Sequence, residues 1–268
     1  MPERAGPATT AIRVDFAGAI GRIRLARPAK LNALNRTILE ELVVAASWFD
    51  ARPDTKVVIV DGEGTSFTAG FDLADPTWAA LGPPERSTSV GRAMAEAIGG
   101  MRAITIASIR GHCIGGGVVL AAACDLRIAS TTAAFRIPEV DLGIPLFWTG
   151  VPRLAREVGA ALTKELVLTG RSFDAAEAKA IRFVNRVVAD DALGEETNRL
   201  AEQLAAKPGL VLRTTKHQVE AAAALSTDGD ADADAARYVA ALADAESRAI
   251  AAAYVSAKGG YSSERSEP

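Results

Sequence analysis

Short apolar runs rich in β-branched residues alternate with amphipathic stretches along most of the chain. Six of these runs predict β-strands, at residues 11–16, 20–26, 56–62, 104–111, 125–130 and 183–188. Between them, residues 38–50 carry apolar side chains at helical spacing, and Asn35 ahead of this stretch is a residue type that caps helix N-termini. Strands that alternate with helices in this way predict an α/β fold.

The pattern becomes helical from about residue 191 onward. Helices are expected at 193–207, directly after Pro208, and at 236–258, where alanine-rich sequence is typical of a helix packed on a neighbouring element or on another subunit. Residues 75–92, by contrast, are rich in proline, glycine and serine. They predict a long mobile loop of the kind that often carries function.

Composition narrows the classes of partner. Of the 268 residues, 49% are apolar, which is enough for a sizeable core, and the net charge of -3 disfavours nucleic acid as the main partner. The N-terminus has no apolar signal segment and no apolar run is long enough to span a bilayer, so we expect a soluble, cytoplasmic protein without a membrane partner. Cys113 and Cys124 lie in apolar sequence and are expected to be buried, reduced thiols.

Two glycine-containing segments carry the first chemical signal. Residues 64–73 and 111–125 each follow a predicted strand, turn sharply at glycine and are expected to open a helix. Such a turn leaves unpaired backbone N–H groups at the positive end of a helix dipole, and glycine lets a ligand approach them closely. Neither segment fits the dinucleotide-binding G-x-G-x-x-G pattern or a phosphate-binding P-loop. Ser66 is not in a G-x-S-x-G elbow, which disfavours a serine hydrolase of that type.

A third segment, at residues 135–154, places a glutamate in apolar sequence. Glu139 follows Pro138, and burial there would raise the pKa of its carboxyl group toward the range useful for proton transfer. The alternative is a structural role, in which Glu139 caps a helix or pairs with an arginine such as Arg136. The spacing alone leaves both interpretations open.

Together these segments resemble the enoyl-CoA hydratase/isomerase family, also called the crotonase family. The resemblance runs in order from about residue 10 to the C-terminal helices, and its strongest stretches are residues 27–35, 66–73, 111–129, 137–145 and 168–188. It implies a disordered tail at 1–9, a crotonase-like α/β spiral of ββα units at 10–200, and a C-terminal helical region at 201–268 that assembles trimers or dimers of trimers. It also implies an acyl-CoA thioester as substrate. Coenzyme A is then part of the substrate, and neither a separate cofactor nor a metal is expected.

The same resemblance assigns roles to individual residues. The backbone N–H groups of Phe71 and Gly116 would form an oxyanion hole for the thioester enolate, and each such donor contributes roughly 3–4 kcal/mol. Four positions are expected to contact coenzyme A, namely Lys30, Leu31, Ala33 and Ala69. Tyr254 and Lys258 of a neighbouring subunit would help to close that site. The residues expected to line the acyl pocket are Val119, Trp78, Phe147 and Trp148, although aromatic residues in such stretches more often belong to core or subunit packing.

One position departs from a hydratase of this family. Such a hydratase holds and activates water with two glutamates; Glu139 matches the second, but Val119 stands at the first. Valine cannot exchange a proton, and losing one acid–base group costs about 10²–10⁴-fold. We therefore expect an isomerase in which Glu139 is the single acid/base. Two alternatives stay open: a hydratase or related lyase in which Asp141 replaces the missing group, and a non-catalytic acyl-CoA-binding protein.

Two further polar residues close to these segments are expected to be structural. His112 precedes the glycine turn of the second segment and is expected to be a buried, hydrogen-bonded core residue. Asp72 stands beside the first predicted oxyanion donor and is expected to cap a helix or to form a local salt bridge.

Overall fold

The computed structural model describes residues 6–80, 84–224, 236, 239–240 and 242–259. Its strands are β1 Ile12–Ala17, β2 Ile20–Leu25, β3 Val57–Gly62, β4 Ile104–Ile109, β5 His112–Ile114, β6 Leu126–Ser130, β7 Ala134–Arg136, β8 Ser172–Asp174 and β9 Arg186–Val188. Six of them form the main sheet, in the order β1-β2-β3-β4-β6-β9. β1 and β2 are antiparallel, and the other neighbours in this sheet are parallel.

All six predicted strands are confirmed, and they are the six strands of the main sheet. The largest shift is at β9, which begins at Arg186 rather than at residue 183. The reason is that the backbone N–H groups of the two preceding residues form hydrogen bonds outside the β6–β9 strand pair. The N–H of Val184 donates to the carbonyl of Ala178, and the N–H of Asn185 donates to the carbonyl of Arg127.

A second sheet, formed by β5, β7 and β8, was not predicted. β5 and β7 are parallel, and β7 and β8 are antiparallel. Each strand has three residues, which is too short for an alternating pattern to be recognised. Gly111 adopts a φ of +52° and turns the chain from β4 into β5. An added Cβ at Gly111 would lie 2.1 Å from the carbonyl oxygen of Thr65, so the turn requires glycine.

The described helices are α1 Arg36–Asp50, α2 Thr77–Ala80, α3 Pro84–Gly99, α4 Gly116–Ala123, α5 Gly150–Val158, α6 Ala160–Thr169, α7 Ala175–Ala180, α8 Leu193–Ala205, α9 Gly209–Ala224 and α10 Ala245–Gly259. Two short 3-10 helices occupy Pro28–Lys30 and Glu139–Leu142. The predicted cap of α1 is confirmed, because the side chain of Asn35 accepts a hydrogen bond from the N–H of Ile38 at 3.0 Å. None of the helices within the described ranges is long and apolar enough to cross a bilayer.

The predicted mobile loop at residues 75–92 is wrong. Most of this stretch is helical, in α2 and in the first half of α3, while residues 81–83 lie outside the described part of the chain. The proline and serine content suggested a loop, but Met94, Ala95 and Ile98 are buried in the core at helical spacing. Packing of this apolar stripe outweighs the weak helix propensity of the preceding residues.

Both faces of the main sheet are covered. The larger core includes residues from α1, α3 and α4, and the smaller one joins Val57 and Ile106 of the sheet to Leu193 and Leu200 of α8. The expected boundary between the core and the helical region, at residues 200 and 201, therefore falls inside α8. This helix covers one face of the sheet with its apolar side chains. Of the expected N-terminal tail, residues 1–5 lie outside the description, whereas the hydroxyl of Thr9 donates to the carbonyl of Ile12 at 2.8 Å.

Candidate active site

One small cavity brings most of the predicted site residues together. It is lined by Phe71, Gly116, Val119, Glu139, Leu146, Phe147 and Trp148. The space between these residues is small, with room for about one water molecule. Leu146 was not predicted; its position beside Phe147 was the available signal. The three segments singled out in the sequence thus meet at one place.

The first predicted donor, Phe71, follows a tightly held turn. The segment before it pairs with β5, because the N–H of Thr68 donates to the carbonyl of His112 at 2.8 Å. Gly70 then turns the chain at a φ of +86°, and an added Cβ there would lie 2.4 Å from the carbonyl oxygen of Ile114. No helix opens at this turn, contrary to expectation; the next helix begins at Thr77. The N–H of Phe71 has no acceptor among the described residues and is therefore available to a ligand.

The second predicted donor, Gly116, is the first residue of α4. Gly115 adopts a φ of +50° and is itself held, because its N–H donates to the carbonyl of Arg136 at 2.8 Å. The N–H of Gly116 lies in the first turn of the helix and has no acceptor within the described part of the chain. The helix dipole adds positive potential at this end. Both N–H groups belong to residues of the same cavity wall, as an oxyanion hole requires.

Thr68 connects these two donors, and sequence reasoning missed it. Its hydroxyl donates to the carbonyl of Asn32 at 2.7 Å and accepts the N–H of Gly70 at 3.0 Å. Its methyl group packs against Gly117 in the first turn of α4, where an added Cβ would lie 2.4 Å from the Thr68 Cγ2 atom. Thr68 therefore links the turn before Phe71 to the first turn of α4. A lone threonine beside a glycine turn gives no sequence signal for such a role.

Arg127 holds the opposite end of α4. It is 2% exposed, and its guanidinium donates to the carbonyls of Ala121 and Cys124, at 3.3 and 2.8 Å, and to that of Phe183. It also forms an ion pair with Glu157 of α5. Carbonyls at a helix C-terminus lack partners within the helix, and a cation there also interacts favourably with the dipole. The helix that carries Gly116 is thus fixed at its far end by a buried charge.

Glu139 is buried in the cavity wall, at 6% exposure. Its Oε2 atom has no hydrogen-bond partner among the described residues, and its Oε1 atom would lie 2.6 Å from a Cβ added at Gly115. Burial in this apolar surrounding raises the pKa of Glu139 to about 7. The structural alternative, a pair with Arg136, is not formed. Arg136 instead donates to the Asp141 carboxylate at 2.6 Å and to the carbonyl of Gly170 at 2.7 Å.

Asp141 is not brought to the cavity, so the structure does not support it as a second acid–base group. Residues 139–142 form a 3-10 helix rather than an extended segment, and positions two apart therefore face different directions. The carboxylate of Asp141 pairs with Arg136 and lies close to Gly170, away from the residues that line the cavity. Glu139 is accordingly the one titratable side chain among the described residues of the cavity wall.

The four residues expected to contact coenzyme A lie next to the first donor. Lys30 is exposed at the end of its 3-10 helix, and Leu31 and Asn32 follow in left-handed conformation, at φ values of +47° and +55°. The N–H of Ala69 donates to the carbonyl of Leu31 at 2.8 Å, and the N–H of Ala33 donates to that of Lys30. The contact with coenzyme A stays a prediction. The side chains of Tyr254 and Lys258 lie outside the described part of the chain.

The aromatic residues predicted for the acyl pocket form one cluster. Phe147 and Trp148 line the cavity, whereas Trp78 lies behind it and stacks on Phe71 with ring centroids 4.6 Å apart. The indole N–H of Trp78 donates to the carbonyl of Asp72 at 2.9 Å. Three of the four predicted acyl-pocket residues, including Val119, therefore reach the cavity wall.

The remaining polar residues near the site play structural roles. Asp72 forms the expected local salt bridge, with Arg27 at 3.0 Å. The prediction for His112 is wrong, because β5 is a short strand that turns His112 outward and Cys113 inward, so the imidazole is exposed. Cys113 and Cys124 are buried and free, as expected. Burial raises the pKa of both thiols, that of Cys124 to about 12, which leaves neither thiol as a nucleophile.

Sequence comparisons identify relatives of this chain. A family model described as enoyl-CoA hydratase/isomerase matches residues 15–259. A probable enoyl-CoA hydratase from Mycobacterium bovis is 37% identical to this chain over 206 residues, which cover 76% of this chain and 78% of the relative. The crotonyl-CoA hydratase of Syntrophomonas wolfei is 35% identical, over 71% of this chain and 74% of the relative.

Solved structures give the same result. The crystal structure of an enoyl-CoA hydratase from Bacillus anthracis has a TM-score of 0.73 and 32% identity, covering 79% of this chain and 83% of that chain. A Thermobifida fusca structure in complex with acetoacetyl-CoA has a TM-score of 0.72 and 31% identity, covering 87% of this chain and 93% of that chain. The family match and these relatives identify an enzyme that processes acyl-CoA thioesters. The chain belongs to the enoyl-CoA hydratase/isomerase family.

The raised pKa of Glu139 predicts an unusual pH dependence of stability. Since the folded protein holds this proton more tightly than the unfolded chain, stability is lost as pH rises from about 4.5 through about 7. The loss amounts to roughly 3 kcal/mol. Glu139→Gln removes the titration, so its free energy of unfolding relative to the wild type should rise by that amount between pH 4.5 and pH 8. Urea denaturation at both pH values measures it, and an offset that is equal at both would contradict the burial of an ionisable Glu139.

Proposed function

We propose that this enzyme moves the double bond of an enoyl-CoA, with Glu139 as the single acid/base. The Glu139 carboxylate takes a proton from the carbon next to the thioester carbonyl of a 3-enoyl-CoA. The electrons of that C–H bond shift into the carbonyl, and the negative charge of the resulting enolate develops on its oxygen. The N–H groups of Phe71 and Gly116 stabilise this oxygen. Glu139 then returns the proton at the γ carbon, and the product is a 2-enoyl-CoA.

One observation carries this proposal: a lone buried carboxylate shares the cavity with two unpaired backbone donors and with Val119. A proton shuttle needs a base near neutrality, and a pKa of about 7 makes Glu139 effective both in taking a proton and in returning it. An apolar neighbour such as Val119 also keeps bulk water away from the enolate. The arrangement therefore favours proton transfer between two carbons of one substrate.

Hydration is the second candidate, and the relatives favour it. The Mycobacterium bovis and Syntrophomonas wolfei relatives are named as hydratases, and the cavity has room for about one water molecule. In that reaction Glu139 alone would have to activate the water and deliver the proton. The absence of a second carboxylate from the described cavity wall predicts a slow hydratase.

The deciding experiment incubates the protein separately with crotonyl-CoA, a 2-enoyl-CoA, and with 3-butenoyl-CoA, a 3-enoyl-CoA. Hydration is followed by the loss of enoyl absorbance and bond migration by its gain, with the products identified by mass. We expect migration in the second reaction at a rate well above hydration in the first. Faster hydration than migration would establish the hydratase instead. Binding of both substrates without turnover of either would identify a non-catalytic acyl-CoA-binding protein.

The proposal extends to the cofactor portion of the substrate and to assembly. Coenzyme A would lie along Lys30, Leu31, Ala33 and Ala69, because this strip adjoins the first donor and Leu31 is exposed there. The chain would assemble as a trimer or a dimer of trimers through its C-terminal helices. The exposed apolar side chains of Leu210, Val211 and Val219 on α9 support such an interface.

A further inference from the structure

The side chain of Trp148 packs against two glycines, Gly91 and Gly116. The side chain is 2% exposed and lies between α3 and α4. A Cβ added at Gly91 of α3 would lie 1.8 Å from its Cε2 atom, and a Cβ added at Gly116 of α4 would lie 2.4 Å from its Cζ3 atom. The indole thus fills the space between the two helices and has no room to move toward either of them.

The chain holds this tryptophan at the expense of stability. Trp148 and the next residue, Thr149, both adopt left-handed backbone conformations, with φ values of +61° and +58°. Large and β-branched side chains rarely occur there. The buried indole Nε1 atom also has no acceptor among the described residues. Strained backbone and unpaired polar atoms concentrate at functional sites, where the geometry serves the reaction. Both observations indicate a role for Trp148 beyond core packing.

The neighbouring rings brace Trp148 on the side of the cavity. The ring centroids of Phe147 and Trp148 are 5.3 Å apart, and that of Phe71 lies 5.9 Å from Trp148 and 6.2 Å from Phe147. Trp78 supports Phe71 from behind. Mutually packed aromatic rings form a rigid wall, because each ring would have to move for another to swing away.

The space between these side chains is small and apolar. It has room for about one water molecule, so Trp148 and its neighbours leave little space for a long acyl chain. Apart from Glu139, the described side chains of the wall are apolar, so the acyl tail meets no partner for a charge or a hydroxyl group.

We infer that Trp148 closes the acyl end of the cavity and restricts the substrate to short, apolar acyl groups. The inference rests on the proposed function only in placing the acyl group in this cavity. It does not depend on which reaction follows. Trp148 is then a residue that determines specificity, whereas Glu139 and the two backbone donors carry out the chemistry.

The test measures binding of saturated acyl-CoAs from acetyl to decanoyl by calorimetry, with the whole protein and without turnover. For the wild type, affinity should rise about fourfold for each methylene that is buried, up to butyryl-CoA, and fall at least tenfold by octanoyl-CoA. Trp148→Gly opens the end of the cavity and suits the left-handed backbone. It should reverse this order and bind octanoyl-CoA more tightly than butyryl-CoA.

Trp48→Ala is the matched control, because Trp48 packs on Phe16 of β1 and on Phe49 of α1 and is not among the residues that line the cavity. It should lower stability and leave the chain-length profile unchanged. The inference is overturned if the wild type binds octanoyl-CoA as tightly as butyryl-CoA, or if folded Trp148→Gly keeps the wild-type profile. If Trp148→Gly does not fold, the wild-type profile decides alone. Binding that follows chain length in a protein without isomerase activity would reject the proposed reaction but keep this inference.

Discussion

Glu139→Gln is expected to lower kcat for double-bond migration by about 10²–10⁴-fold, because it removes the acid/base and leaves the donors in place. Glutamine has nearly the same shape, so the affinity for a saturated acyl-CoA should change little. In the wild type, kcat/KM should rise with pH and level off above about 7, as the pKa of Glu139 requires for a base that acts as carboxylate. Steady-state kinetics between pH 5 and pH 9 measure both effects.

Asp141→Asn provides the matched control. It removes a carboxylate two residues away, in the same 3-10 helix, but one that pairs with Arg136 outside the cavity. We expect kcat to stay within a few-fold of the wild type. A loss at Asp141→Asn as large as that at Glu139→Gln would restore Asp141 as an acid–base group. Full activity of Glu139→Gln would reject the proton shuttle altogether.

Gly116→Ala should lower kcat by about 10²–10³-fold, the loss typical of one missing oxyanion donor. The added Cβ would lie 2.4 Å from the Trp148 ring, and Gly91 prevents that ring from retreating. The start of α4 must therefore shift, and the N–H of Gly116 moves with it. Initial rates at saturating substrate measure the effect, since the loss falls on the charge that develops during reaction rather than on binding.

Gly194→Ala is the control for this change. Gly194 also lies in the first turn of a helix, α8, but a Cβ added there meets nothing within 4 Å. Its kcat should not change, and its free energy of unfolding should rise by about 0.5–1 kcal/mol. The double change Gly116→Ala with Trp148→Gly removes the obstructing ring and should recover part of the lost rate. Wild-type kcat in Gly116→Ala alone would show that this N–H is not a donor.

Sequence patterns predicted the main sheet well, because its strands are long enough for apolar runs to be recognised. They failed for β5, β7 and β8, whose three-residue pairings depend on where a glycine turn sends the chain. They also failed at residues 75–92, where proline and serine suggested a loop. The stretch is mostly helical, because apolar residues of α3 pack into the core. Local composition therefore misleads most where a distant contact determines the conformation.

For the site, sequence motifs indicated which residues meet but not how they are held. Glu139 was singled out because it lies in apolar sequence after a proline, whereas Phe71 and Gly116 were assigned through the family resemblance of their glycine-containing segments. The roles of Thr68 and Asp141 were not readable, since a hydroxyl that bridges two segments and a carboxylate turned to Arg136 follow from three-dimensional placement. His112 shows the same limit, because a strand of three residues gives no indication of which side faces solvent.

The buried contacts of Arg127 affect how sequence variation in this enzyme should be interpreted. The residue is not among those that line the cavity, yet its buried guanidinium joins the end of α4 to α5 and to the carbonyl of Phe183, 56 residues further along the chain. A lysine could not reproduce this pattern, because a single ammonium lacks the planar fork that serves several acceptors at once. Changes at Arg127 are therefore expected to resemble active-site changes in a genetic screen, because they loosen the helix that carries the proposed oxyanion donor, Gly116.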